Sequence, residues 1–168
     1  MLYNQPPDNQ DKSIWEIIKN DKSILIVHLK RENLLASYAS LKIGHKTGIW
    51  KENILKDDGD TNHRNNLIDL KPKDCESYFS LITDYWENIS NIYSSHPYIE
   101  IFYEDLVNDK QETLNEVFKA MYLETYEVSS KMKKQNRESL EDLIENYGEL
   151  KTYFKRTKWH YLFKNSHP

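Results

Sequence analysis

Residues 24–43 (ILIVHLKRENLLASYASLKI) change from one periodicity to another without a break. The run 23–29, SILIVHL, is short, β-rich and almost uninterrupted in apolarity. That pattern suits a strand buried on both faces, as in a parallel sheet. Immediately after it, Leu34, Leu35, Tyr38 and Leu41 recur at helical spacing, with Asn33 in position to cap the helix. A second strand-like run, YIEIFY at 98–103, follows the chain break expected at His96-Pro97. Helical segments stand between and after these runs, and no tight hairpin signal joins them. Parallel pairing within an α/β layer fold is the expectation. In such sheets, ligands bind beyond the carboxyl ends of the strands. That rule directs attention to the residues just after Leu29 and just after Tyr103.

The remaining periodicities are helical. A short helix is expected at 12–19, capped by Asp11, with Ile14, Ile17 and Ile18 on its inner face. The clearest helix spans 74–94, where Cys75, Tyr78, Phe79, Ile82, Tyr85, Trp86, Ile89 and Tyr93 recur at steps of three and four. Asp109 and Glu112 resemble a capping box, followed by an inner face of Leu114, Val117, Phe118 and Met121. Ser139 and Asp142 form another capping signal. It opens one long helix with Leu140, Leu143, Ile144, Tyr147, Leu150 and Phe154 turned inward. Residues 44–66 read as a long surface loop, with a helical turn around Trp50, of the length often found in lids or functional segments.

Composition narrows the function classes. The chain has 168 residues, which suits one domain, and its net charge of −4 removes any chain-wide electrostatic case for nucleic-acid binding. The single cysteine, Cys75, excludes an internal disulfide, so a cytoplasmic setting is the default expectation. No apolar run reaches the roughly 20 residues of a membrane helix. Four glycines leave little from which to build a glycine-rich phosphate loop.

Four groups of residues bear on chemistry. Lys30, Arg31, Glu32 and Asn33 end the first strand, with Ser37 and Ser40 one to two turns into the helix. A helix N-terminus attracts anions, and an arginine there adds a forked donor suited to phosphate. The alternative is that Arg31 pairs with a carboxylate such as Glu32, while the serines satisfy backbone groups. The basic run 131–137, KMKKQNR, either closes over an anionic ligand or is a solvated loop. Glu104 and Asp105 follow the second strand directly and suit either acid–base chemistry or helix capping. None of the six histidines shows metal-ligand spacing; His28 reads as a core histidine, and His45 and His63 as loop residues. Cys75 reads as core, and Trp50 and Trp159 as packing residues.

Taken together and in order, VHLKRENLLASYASLKIGHKTGIW, FYEDLVNDKQETLNEVFKAMYLE, SSKMKKQNRESLEDLIENYGELK and TKWHYLF resemble bacterial sulfotransferases that modify carbohydrates and lipids. This group includes the nodulation-factor and trehalose sulfotransferases. The resemblance implies a P-loop-like, three-layer α/β fold around a parallel sheet. It also implies transfer of a sulfuryl group from 3′-phosphoadenylyl sulfate (PAPS) to a hydroxyl of a carbohydrate or lipid acceptor. Arg31 and Ser40 would contact the 3′-phosphate of PAPS or of its product, adenosine 3′,5′-bisphosphate. The arginine-to-serine spacing is one residue longer than in the commonest family pattern, so either the turn is slightly wider here or Lys30 or Ser37 would share that role. Lys133, Lys134 and Gln135 would lie on a loop closing over the nucleotide. The family's opening strand and its Ser/Gly/Thr-rich phosphosulfate loop have no counterpart here, and residues 1–5 resemble a strand that follows that loop. The expectation is a partial, N-terminally truncated sulfotransferase-like domain over 1–168, weak or inactive by itself and open to self-association as a homo-oligomer. A non-catalytic, nucleotide- or partner-binding remnant of the same fold is the alternative.

Overall fold

A computed structural model of the protein describes residues 13–48, 52–53, 67–129, 132–133 and 139–163. In chain order these form α1 (Ser13–Asn20), β1 (Ile26–Lys30), α2 (Leu34–Thr47), β2 (Glu52–Asn53), α3 (Pro72–Ile92), β3 (Tyr98–Phe102), α4 (Tyr103–Asn108), α5 (Lys110–Ala120), β4 (Met132–Lys133), α6 (Leu140–Leu143) and α7 (Tyr147–Phe154), with a 3-10 turn at His160–Phe163. The class is α/β and helix-rich. The chain divides into two compact units, Met1–Glu32 with Ser80–Val128, and Asn33–Phe79 with Ser129–Pro168, so that α3 contributes residues to both.

The first unit is built on β1 and β3, which pair in parallel with Ile26 opposite Tyr98 and Lys30 opposite Phe102. The pairing starts where α3 ends: His96 donates its N–H to Tyr93, and the Pro97 carbonyl accepts the Ile26 N–H. The expectation of a strand buried on both faces is corrected. His28 is buried, whereas Val27 and Leu29 are 40% and 46% exposed. The burial alternates along β1, so only one of its faces is well covered, and among the described residues β1 pairs with β3 alone. The inner face expected for α1 is corrected too, because Ile14 and Ile17 are exposed. On α5, Leu114, Val117 and Phe118 are half-buried and Met121 is exposed, so the apolar stripe is covered only in part.

The capping signals of the first unit hold in modified form. The Asp109 carboxylate accepts the Glu112 N–H at 3.0 Å, but the Asp109 N–H is taken by the Asp105 carbonyl. The helix in front, α4, thus supplies the partner that a Glu112 side chain supplies in a full capping box. At its other end α5 closes in a Schellman arrangement, with Tyr122 N–H donating to Lys119 and Leu123 N–H to Phe118. Tyr122 holds φ at +56°, a position that glycine favours because a Cβ crowds the following carbonyl.

The second unit holds most of the fully buried side chains. Leu34, Leu35 and Ile43 of α2, Cys75 and Phe79 of α3, and Leu140, Ile144, Leu150 and Phe154 are essentially inaccessible. Phe79 lies 5.7 Å from Phe154 and 5.4 Å from Trp159 between ring centroids, the latter edge to face. Trp159 is therefore a packing residue, as expected. Burial and neighbouring Asp74 push the Cys75 thiol up to about 12, consistent with a core cysteine.

Two helix boundaries differ from expectation. The helix α2 runs through Gly44 to Thr47 and stops at Gly48, whose φ of +71° gives a left-handed cap. Residues 44–47 of the expected loop are therefore helical, and His45 is an exposed helical residue. The long C-terminal helix is two helices. Ile144 is extended and bridges Ile68 in parallel: Ile68 N–H donates to Leu143, and Glu145 N–H to Ile68. The Asn146 side chain then donates to the Leu70 carbonyl and accepts the Leu70 N–H. Segment 67–70 satisfies its backbone by opening the helix, while all six expected inward residues stay buried.

Phe79→Ala is expected to cost about 3–5 kcal/mol, read as a lowered denaturant midpoint at unchanged slope. Tyr122→Gly is expected to raise stability by up to about 1 kcal/mol, read as a higher melting temperature.

Candidate functional site

The carboxyl ends of β1 and β3 lie side by side, because parallel pairing starts and stops both strands together. The residue after each strand, Arg31 and Tyr103, therefore become neighbours. The Arg31 guanidinium carbon lies 4.7 Å from the centre of the Tyr103 ring. Stacking on an aromatic face suits a weakly hydrated planar cation. One residue further on, Glu104 accepts the Glu32 N–H at 2.9 Å. Glu104 and Asp105 stand in the first turn of α4, whose cap, Phe102, makes no side-chain hydrogen bond. Glu104 thus spans to the other strand's exit rather than capping a following helix.

Behind these ends, one face of the sheet carries a polar network. His28 Nδ1 lies 2.5 Å from the Tyr98 hydroxyl, which is 3.2 Å from Ser90 on α3 and also donates to Glu100 at 3.3 Å. Lys30 forms a salt bridge with Glu100 and sits 5.7 Å from the Trp86 ring centre. The Lys30 ammonium is thus drawn along the sheet face to Glu100. The Lys30 hydrogen bond holds the Glu100 carboxyl below its ordinary range against the opposing effect of burial. Burial pushes His28 below the ordinary imidazole value, Lys30 adds in the same direction, and Glu100 opposes both. The Tyr98 phenol is pushed up, chiefly by burial.

The other predicted site residues are described separately. Asn33 caps α2 as expected, accepting the Ala36 N–H at 3.0 Å. Ser37 and Ser40 are half-buried on α2, three residues apart and so on neighbouring positions of one helix face. The Ser37 hydroxyl is 2.9 Å from that of Tyr78, whose ring packs at 4.7 Å from Tyr38. Lys133 belongs to β4, whose backbone pairs antiparallel with β2, Lys133 opposite Glu52 and Met132 opposite Asn53. The basic run thus contains a short strand rather than loop alone. Lys134, Gln135, Trp50, His63 and residues 1–5 lie outside the described residues.

An acidic cleft of about 250 Å³ lies beside β3, lined by Glu100, Asp105, Asp109, Glu112 and Glu116 among others. Its charge disfavours an anionic ligand. Among the described residues, no cluster of His, Cys, Asp and Glu is arranged to hold a metal ion. Nor is any helix among them long and apolar enough to cross a membrane. The stacking of Arg31 on Tyr103 and the hydrogen bond between His28 and Tyr98 were not expected from sequence. The only signal for them was position, since each follows or faces a strand residue in matched register.

No family model, curated protein or solved structure matches this chain.

A depressed folded pKa means that the unfolded chain takes up the His28 proton first as pH falls. The associated stability is present above the unfolded value of about 6.5 and is lost as pH falls through the folded one. The melting temperature of the protein is therefore expected to fall on acidification from about pH 7.5 to pH 5.5, and less steeply in His28→Gln. Thermal melts across that range check it.

Proposed function

We propose that this chain is a sulfotransferase-like protein that binds PAPS through the turn between β1 and α2. In this reading the fold is of the P-loop-like three-layer type. The acceptor is a hydroxyl of a carbohydrate or lipid. The observation that carries the proposal is Arg31, held on Tyr103 at the carboxyl end of a parallel strand pair. Parallel α/β sheets bind ligands at that end, and a guanidinium grips phosphate through two parallel hydrogen bonds.

Residues and ligand fit in charge and chemistry. The 3′-phosphate is a dianion and Arg31 is a permanent cation. Resemblance assigns the same phosphate to Ser40, with Ser37 three residues before it, and assigns Lys133, Lys134 and Gln135 to a segment over the nucleotide. PAPS, when bound, supplies the activated sulfuryl group. The residues named here bind and orient the nucleotide and leave the base that activates the acceptor unassigned. Positioning and charge stabilisation dominate transfers of this kind, so a nucleotide grip is a substantial part of the chemistry.

Adenosine 3′,5′-bisphosphate tests the reading without needing an acceptor. At about 100 times its dissociation constant, it is expected to stabilise the protein by about 2.7 kcal/mol. Arg31→Ala is expected to weaken binding roughly tenfold to a hundredfold, the loss of a charge-assisted hydrogen-bond pair. Absence of any thermal shift or calorimetric heat at millimolar-scale bisphosphate, in protein that is folded by circular dichroism, overturns the proposal.

A further inference from the structure

We propose that His96, Lys22 and the Lys19 carbonyl form a proton-operated switch at the end of α1. Neutral His96 holds the Lys22 ammonium. Protonated His96 releases it and takes the Lys19 carbonyl in its place. The proposal is independent of the nucleotide reading and uses none of its residues.

Three atoms from two distant segments make a triangle. The Lys22 ammonium donates to the Lys19 carbonyl at 2.6 Å and lies 3.2 Å from His96 Nε2, and Nε2 lies 3.3 Å from the same carbonyl. His96 is only 7% exposed, and its ring meets that of Tyr93 edge to face at 5.1 Å. Its Nδ1 is buried without a hydrogen-bond partner, so among the described residues the hydrogen bonding of the ring passes through Nε2. Lys22, by contrast, is exposed. The imidazole is fixed by its surroundings while the ammonium has water beside it, so the lysine is the partner that can move.

An ammonium has donors and no acceptor. Nε2 can face it only with a lone pair, which places the hydrogen of the neutral ring on Nδ1. Protonation turns Nε2 into a donor and sets two cations 3.2 Å apart. Like charges at that distance repel, and the solvent-exposed one leaves. The new N–H then faces the Lys19 carbonyl that Lys22 vacates. Imidazole is the side chain that ordinarily changes charge between about pH 5 and 8.

The other titratable groups act less directly. Asp21 attracts charge on His96, but its carboxylate accepts the Ser23 N–H at 3.0 Å and the Ser23 hydroxyl at 2.6 Å. Those bonds are the main cause holding the Asp21 carboxyl below its ordinary range. Glu16 acts on the Tyr93 phenol, which burial pushes up. The contacts of Nε2 are with Lys22 and the Lys19 carbonyl.

The experiment is NMR on the full chain from about pH 8 to pH 5, reading the His96 ring nitrogens and the mobility of the Lys22 side-chain carbons. At the alkaline end the ring is expected as the Nδ1-protonated tautomer, with Lys22 restricted. As the ring takes up its second proton, Lys22 is expected to become as mobile as the exposed Lys19 side chain, in one transition with a shared midpoint. His96→Gln keeps an acceptor and does not titrate, so Lys22 should stay restricted throughout. Lys22→Met removes the ammonium at an exposed position. Its ring should change to the Nε2-protonated tautomer at the alkaline end, donating to the Lys19 carbonyl. That variant keeps the test decisive even where His96→Gln fails to fold. An Nε2-protonated ring at the alkaline end of the unsubstituted chain overturns the proposal. So does a Lys22 side chain equally mobile at both ends of the range, or one that loosens identically in His96→Gln. Retention of the Nδ1 tautomer in Lys22→Met overturns it as well.

Discussion

The parallel ladder between β1 and β3 is the constraint on which the first unit depends. Parallel strands cannot be joined by a tight turn, so the ladder closes a long crossover and bears its loop-closure entropy. Once formed, the ladder fixes more than backbone hydrogen bonds. Lys30 opposite Phe102 means that Arg31 leaves one strand where Tyr103 leaves the other. A slip of one residue would turn every side chain to the opposite face and separate those two residues. The same register sets His28 opposite Glu100, and the Tyr98 hydroxyl and Lys30 ammonium reach into one polar cluster from neighbouring positions. Core polarity and candidate site thus follow from a single alignment of two five-residue strands.

The two units are stabilised by different means. The second relies on close-packed aliphatic and aromatic groups, with Phe79 meeting Phe154 and Trp159, and its polar backbone is satisfied by specific devices such as Asn146. The first has a thin interior and a hydrogen-bonded polar layer where a larger protein would have apolar filling. Val27, Leu29, Ile14, Ile17 and Leu123 are all exposed within it. Polar layers of this type specify geometry strongly, because an unsatisfied member would be costly in a low-dielectric setting.

Legibility in the sequence varied with the range of the interactions responsible. The helix α3, the caps Asn33 and Ser139, the break at His96-Pro97 and the short strand after it all follow from local rules, and each appears at the expected place. The identity of the inward residues on the C-terminal segment was equally legible, since burial follows periodicity. Its continuity was not. Leu140 to Phe154 keeps helical spacing through Ile144, and only the arrival of Ile68 and Leu70 replaces helical hydrogen bonds with a bridge. The end of α2 was misplaced for a related reason. Gly44 lies in a helix interior where its lack of a side chain is tolerated, while Gly48 takes the positive φ that ends the helix.

The candidate site divides in the same way. By itself, the sequence determined that a strand of aliphatic residues ends in Lys30-Arg31 and runs into a capped helix, because periodicity and capping are properties of neighbours along the chain. It also determined that Glu104 follows the second strand. Tertiary structure alone decided that Lys30 is committed to Glu100, that Arg31 lies on Tyr103, and that Glu104 serves the backbone of Glu32. It likewise decided that β1 has one covered face rather than two. The physical reason is that a strand's neighbours and a cation's partner come from distant segments, and their register is set by a ladder whose alignment no local pattern records.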